Sequence, residues 1–239
     1  MLSIRELTAG YGKLEILHQL SVDIQVNHMT TILGANGSGK STLLKSIFGL
    51  TTITGGSITY NDREIIGIST ENISKLGIAY VPQRENIFAS MTVRENLALA
   101  VRKASRAEAA LRIDRAFDLF PILTKRANQR TGLMSGGERQ MVAIAMGWLM
   151  NPSLMLLDEP TAGLAPLVAK EVFETLYNLS QKGITLVIVE QNARTALRWC
   201  EDVCILREGT LVYQGRNDAF AEDDSLLHTY LGLLSIGKQ

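Results

Sequence analysis

The stretch from Gly34 to Thr42, GANGSGKST, limits what this chain can become more than any other part of it. It fits the pattern G-x-x-x-x-G-K-[ST], running from Gly34 through Gly39 and Lys40 to Ser41. Glycines let a backbone bend until successive N–H groups point into one hollow, a nest for phosphate oxygens. Asn36, Gly37, Ser38 and Thr42 belong to the same cradle. Lys40 has the reach for β- and γ-phosphates, and the Ser41 hydroxyl is a ligand suited to Mg²⁺. The flanks agree with this reading. Thr30–Leu33 (TTIL) is an apolar, β-branched run fit for a buried strand, and Thr42–Leu50 (TLLKSIFGL) reads as a helix. The N-terminus of that helix adds roughly +0.5 of a charge facing the phosphates.

At 239 residues the chain is long for one compact unit. A nucleotide-binding domain with an inserted subdomain fits better than two equal domains. Basic and acidic residues balance at 24 each, with no basic run longer than two, which argues against nucleic acid as a partner. The two cysteines, Cys200 and Cys204, straddle the start of the strand-like Val203–Leu206, so neither metal nor redox chemistry is expected of them. A reducing cytoplasm follows. The opening MLSIRELTAG lacks the apolar core of a secretory signal. The longest apolar run, Met141–Met150, contains Gly147 and falls short of the ~18 residues that span a bilayer. Any membrane role must therefore run through a partner protein.

Two kinds of strand are legible. Leu20, Val22, Ile24 and Val26 alternate with polar residues, as in a half-exposed antiparallel strand, and Leu2–Leu7 and Ser57–Tyr60 look alike. Ile78–Val81, Leu154–Leu157, Thr185–Val189 and Val203–Leu206 are continuously apolar, the pattern of a parallel sheet covered on both faces. Between them lie helical stripes: Met141, Ile144, Ala145, Trp148 and Leu149 before the stop at Asn151-Pro152, and Val168, Val172, Leu176 and Leu179. Residues 94–126 read as two or three helices without a strand, a helical insert in an α/β frame.

Leu154–Leu157 leads into Asp158, Glu159 and Pro160, an acidic pair at the end of a buried strand, where α/β proteins place ligands. Asp158 is positioned to hold Mg²⁺, and Glu159 to face the γ-phosphate as general base or water-orienting group. Ser135, Gly136 and Gly137 precede an amphipathic helix read at 138–150, forming a second phosphate-seeking N-terminus.

With those residues in view, the chain resembles the ATPase subunit of an ABC transporter. Met134–Glu138 (MSGGE) is similar to the family's Leu-Ser-Gly-Gly-Gln signature. The resemblance implies a P-loop NTPase fold of the α/β class, with a RecA-like parallel core sheet, an antiparallel β subdomain and an inserted α-helical subdomain. It divides one domain, 1–239, into an ATP-binding core (1–82 and 151–239) and a helical part (83–150). It also implies that Ser135, Gly136 and Gly137 close on ATP held by the other subunit of a head-to-tail dimer. Gln83, after the strand 78–81, matches the glutamine that contacts Mg²⁺ and the attacking water, though a surface glutamine before a loop is the plain alternative. Tyr11, in GYGK, matches the aromatic residue that stacks on adenine, or packs at a strand end.

Two positions depart from the family. Ala165 stands where an Asp is usual after Thr161-Ala162-Gly163-Leu164, and Gln191 stands where a His usually holds the γ-phosphate. His18, His28 and His228 lie elsewhere in the sequence. The strings VEQNA (189–193) and GLAP (163–166), with Tyr230-Leu231-Gly232, resemble the ATPase subunits of branched-chain amino-acid importers, whereas Arg84-Glu85-Asn86 does not. The expected partners are integral membrane permease subunits, a second ATPase subunit (itself or a sister) and, indirectly, an external substrate-binding protein. The expected location is the cytoplasmic face of the cell's inner membrane. An importer of urea or another small amide, a soluble ABC-type ATPase outside transport, and a degenerate subunit that binds ATP without cleaving it are the other readings.

Overall fold

Burial sorts the strands into two sheets. The computed structural model describes residues 1–84 and 86–221; His228 and Tyr230-Leu231-Gly232 lie outside the described residues. The chain begins with two long antiparallel strands, β1 (Leu2–Tyr11) and β2 (Leu14–Ile24), and then enters the buried β3 (Met29–Leu33). Helix α1 (Lys40–Ile47) follows, and β4 (Thr52–Tyr60) and β5 (Arg63–Glu64) return to the first sheet, whose order is β2-β1-β4-β5. Helix α2 (Thr70–Lys75) leads to β6 (Ile78–Val81). Helices α3 (Val93–Ala100), α4 (Arg106–Leu119), α5 (Pro121–Lys125) and α6 (Gly136–Leu149) come next, where the sequence predicts helices and no strand. Then β7 (Leu154–Asp158), α7 (Pro166–Ser180), β8 (Thr185–Val189), α8 (Ala193–Ala196), β9 (Asp202–Arg207), β10 (Thr210–Arg216) and α9 (Asp218–Ala221) complete the described chain.

The second sheet has the order β10-β9-β3-β8-β7-β6, parallel throughout except for β10, which runs antiparallel to β9. Every residue of β3, β7 and β8 is buried, as expected for strands covered on both faces. Side chains alternate between the faces and build two cores. Leu33, Met155, Leu157, Leu186 and Ile188 join one core with Ile144 and Val172 of the flanking helices. Ile32, Leu154, Leu156, Val187 and Leu206 join the other, with Leu43 and Leu44 of α1 and the inner face of the antiparallel sheet. Helix α1 is thus wedged between the sheets.

Several expectations shift. Val26 lies past the end of β2 and is 52% exposed, so the alternation stops at Ile24. The first helix starts at Lys40, not Thr42, because Gly39 turns left-handed (φ 99°) as its N-cap. The signature helix starts at Gly136, two residues before the expected 138, because Ser135 and Glu138 close a capping box around its first turn. Among the described residues no helix is long and apolar enough to cross a membrane. Cys200 and Cys204 are buried free thiols, the latter with its pKa pushed up to about 12 by burial, which leaves it unreactive.

Candidate functional site

The polar residues singled out in the sequence gather where β3, β6, β7 and β8 end. Between β3 and α1 the loop folds on itself, Ser38 N–H donating to Ala35 O at 3.1 Å. At Gly34 there is no room for a side chain. A Cβ on Gly34 would lie 2.4 Å from both Leu206 O and Ser38 Oγ. The loop is also held from behind. Gly209 N–H donates to Ser38 O at 3.0 Å, and Gly209 O accepts from His18 N–H at 3.0 Å. Ser38 Oγ is buried with no hydrogen-bond partner, a polar atom suited to an added acceptor such as a phosphate oxygen.

Lys40 is only 4% exposed, and its ammonium lies over the loop, donating to Gly34 O (2.9 Å) and Ala35 O (3.0 Å). Burial lowers its pKa below the ordinary value, against the opposing pull of Glu159, Asp158 and Glu190. One cation therefore faces three carboxylates.

Those carboxylates are fixed by β7 and β8. Asp158 Oδ1 accepts from Ser41 Oγ at 2.8 Å, and its Oδ2 accepts from the Tyr80 hydroxyl at 3.1 Å. Burial, then the Asp158 charge, raises the Tyr80 phenol well above its usual pKa, so it stays a donor. Glu159 takes a left-handed turn (φ 47°), with its N–H donating to Val189 O at 2.9 Å. Its Oε2 accepts from Gln83 Nε2 at 2.6 Å. Ser41 and Asp158, 117 residues apart, and Gln83 and Glu159, 76 apart, are thus brought into contact. Hydroxyl, carboxylate and amide oxygens form a hard donor set, which fits Mg²⁺ and not a thiolate-seeking metal.

Gln191 shares a cleft of about 430 Å³ with Glu159, Thr161 and Glu190. Glu190 is 2% exposed, and sequence reasoning missed it. Its Oε1 accepts from Thr161 N–H (3.1 Å) and Oγ1 (2.7 Å), and its Oε2 from Gln191 N–H (3.3 Å). An acid directly after the wholly apolar TLVIV run was the available signal. Tyr80 and Gly209 were also missed; their contacts depend on strand pairing that no short motif carries.

The remaining residues lie at the margins. Ser135 is engaged in its own helix: its Oγ accepts from Glu138 N–H (3.3 Å), and its N–H donates to Glu138 Oε2 (2.8 Å). Gly136 lines a second cleft, of about 560 Å³, with Gln83 and Glu159. Gly137 meets α7, where a Cβ would lie 2.1 Å from Val168 Cγ1. Among the described residues no hydrogen bond joins Ser135, Gly136 or Gly137 to the 34–42 loop of the same chain. Tyr11 is 44% exposed at the end of β1, with Lys45 Nζ 5.9 Å from its ring centre. Ala165 caps α7 without a side-chain hydrogen bond.

Known proteins resemble this chain along nearly its whole length. The family model described as "ABC transporter" matches residues 17–162. The high-affinity branched-chain amino acid transport ATP-binding protein BraG of Pseudomonas aeruginosa is 38% identical, covering 97% of this chain and 100% of BraG. The probable branched-chain amino acid transport ATP-binding protein LivF of Archaeoglobus fulgidus is 40% identical, covering 98% and 100%. A crystal structure of a nucleotide-free ATP-binding cassette from an ABC transporter matches with a TM-score of 0.86 at 25% identity, covering 100% of this chain and 99% of that one. A dimeric cassette bound to ADP and Pi in a post-hydrolysis state matches at 0.80 and 26%, covering 91% and 99%. With the cradle and the acidic turn standing at the strand ends and the capped glycine pair opening α6, matches of this extent make the protein a member of the ABC transporter family.

Proposed function

We propose that this protein is the ATP-binding and ATP-hydrolysing subunit of an importer for branched-chain or other small amino acids. The observation that carries the chemistry is the paired contact of Ser41 with Asp158 and Gln83 with Glu159 beside the buried Lys40. In this reading the loop amides and Lys40 grip the β- and γ-phosphates, while Tyr11 stacks on the adenine. Ser41, Asp158 and Gln83 hold Mg²⁺, which neutralises phosphate charge when bound. Glu159 orients the attacking water and takes its proton, and Gln191 donates an amide hydrogen bond to the γ-phosphate. Positioning and electrostatics supply most of the rate in such a site.

Ser135, Gly136 and Gly137 serve the ATP of a second subunit, a copy or a sister, which explains why they make no bond to their own phosphate loop. Residues 83–150 form the helical part that bears on membrane permease subunits, and the rest forms the ATP-binding core. The cargo reading rests on the identity to BraG and LivF and on the strings GLAP and VEQNA, which resemble that subgroup. A peripheral place on the cytoplasmic face of the membrane goes with it.

Glu159→Gln tests the mechanism. Turnover should fall about 10²-fold or more, the scale of a lost general base, while ATP binding is kept. Parental turnover in that variant overturns the assignment.

A further inference from the structure

Glu190 has no part in the chemistry just described, yet it is the buried acid through which three pieces of the site are joined. Its own N–H donates to Ile32 O (3.2 Å) on β3, the strand that feeds the phosphate loop. Its carboxylate takes two hydrogen bonds from Thr161, two residues past Glu159, and one from the amide of Gln191. Only 2% of the residue is exposed. Burying a carboxylate is unfavourable unless its oxygens are satisfied, and here three donors satisfy them. What a carboxylate offers here is geometry, because both oxygens accept and neither donates.

We propose that Glu190 is a positioning residue that fixes the Glu159–Thr161 turn relative to Gln191, so that water-orienting and γ-phosphate contacts address one substrate together. This rests on the roles given above to Glu159 and Gln191. A glutamine at position 190 has the same shape, but only one acceptor oxygen. Its carbonyl can serve Thr161, and its amide then meets the Gln191 N–H donor to donor. Thr161→Val removes the hydroxyl bond and keeps the backbone one.

The test measures kcat and KM for MgATP in the assembled transporter carrying Glu190→Gln, Thr161→Val or Thr161→Ser, with Glu159→Gln alongside. Small misplacements of reacting groups cost up to about 10²-fold in rate. Glu190→Gln should lower kcat roughly tenfold or more, with KM within about twofold of the parent. Thr161→Val should lower kcat severalfold, and Thr161→Ser should restore it. Should Glu190→Gln fail to assemble, the Thr161 pair decides alone. Parental kcat in Glu190→Gln or Thr161→Val, kcat and KM changing in proportion, or no rescue by serine overturns the proposal. If Glu159→Gln abolishes turnover in the same series, that failure belongs to Glu190 alone; parental turnover in Glu159→Gln instead removes the underlying mechanism.

Discussion

With Gln191 in the proposed contact with the γ-phosphate, one source of acid sensitivity is missing from turnover. An amide donates a hydrogen bond to phosphate at every ordinary pH, whereas an imidazole changes charge near pH ~6.5. The parent's ATPase rate should therefore show no acid limb arising from this position. Gln191→His should introduce one, its rate changing as pH passes through about 6–7, and an unaltered pH–rate profile counts against contact with the γ-phosphate. At this scale the sequence was readable where the candidate site is written in a contiguous string. Lys40, Ser41, Asp158 and Glu159 each announce themselves by neighbours and spacing, and the structure brings them together. Tyr80 and Glu190 could not be found that way. Tyr80 reaches Asp158 because β6 pairs in parallel with β7, Tyr80 opposite Leu156, a register set by the whole sheet.

Among the elements, α6 shows how one helix start can answer two demands. Its capping box ties down the first turn, and its second glycine lets α7 approach. A methyl group at 137 would collide with Val168, so Gly137→Ala should destabilise the fold by about 1–3 kcal/mol, the usual scale of overpacking. Shortening the neighbour in Gly137→Ala/Val168→Ala should recover part of the loss, since contacting residues are not additive. Thermal melting of the three proteins measures both effects, and an unchanged midpoint in Gly137→Ala refutes the clash. Fully apolar strands and striped helices were legible because burial on both faces, or along one stripe, leaves a strong pattern. Weak patterns hid the rest. Strand β10 is only half-buried along most of its length, and α2 buries Ile73 alone. Val26 continued the alternation in sequence, while the chain itself had already left the sheet.

For the whole molecule, the proposed reading, in which Ser135 serves the ATP of another subunit, calls for a second subunit to complete the site. Binding that favours the paired form shifts association by mass action. Glu159→Gln with MgATP should therefore sediment as a two-subunit assembly, with its own copy or its sister, and chelating Mg²⁺ should disperse it. A monomer under saturating MgATP contradicts the shared site. The backing of the cradle carries a different consequence. Gly209 links Ser38 on one side to His18 on the other, and a Cβ there would lie 1.9 Å from Ile16 O. The outer antiparallel sheet is therefore tethered to the nucleotide grip, and strain applied to that sheet reaches the cradle from outside. A compound that pried the sheet outward would loosen the hold on ATP without ever competing for its pocket.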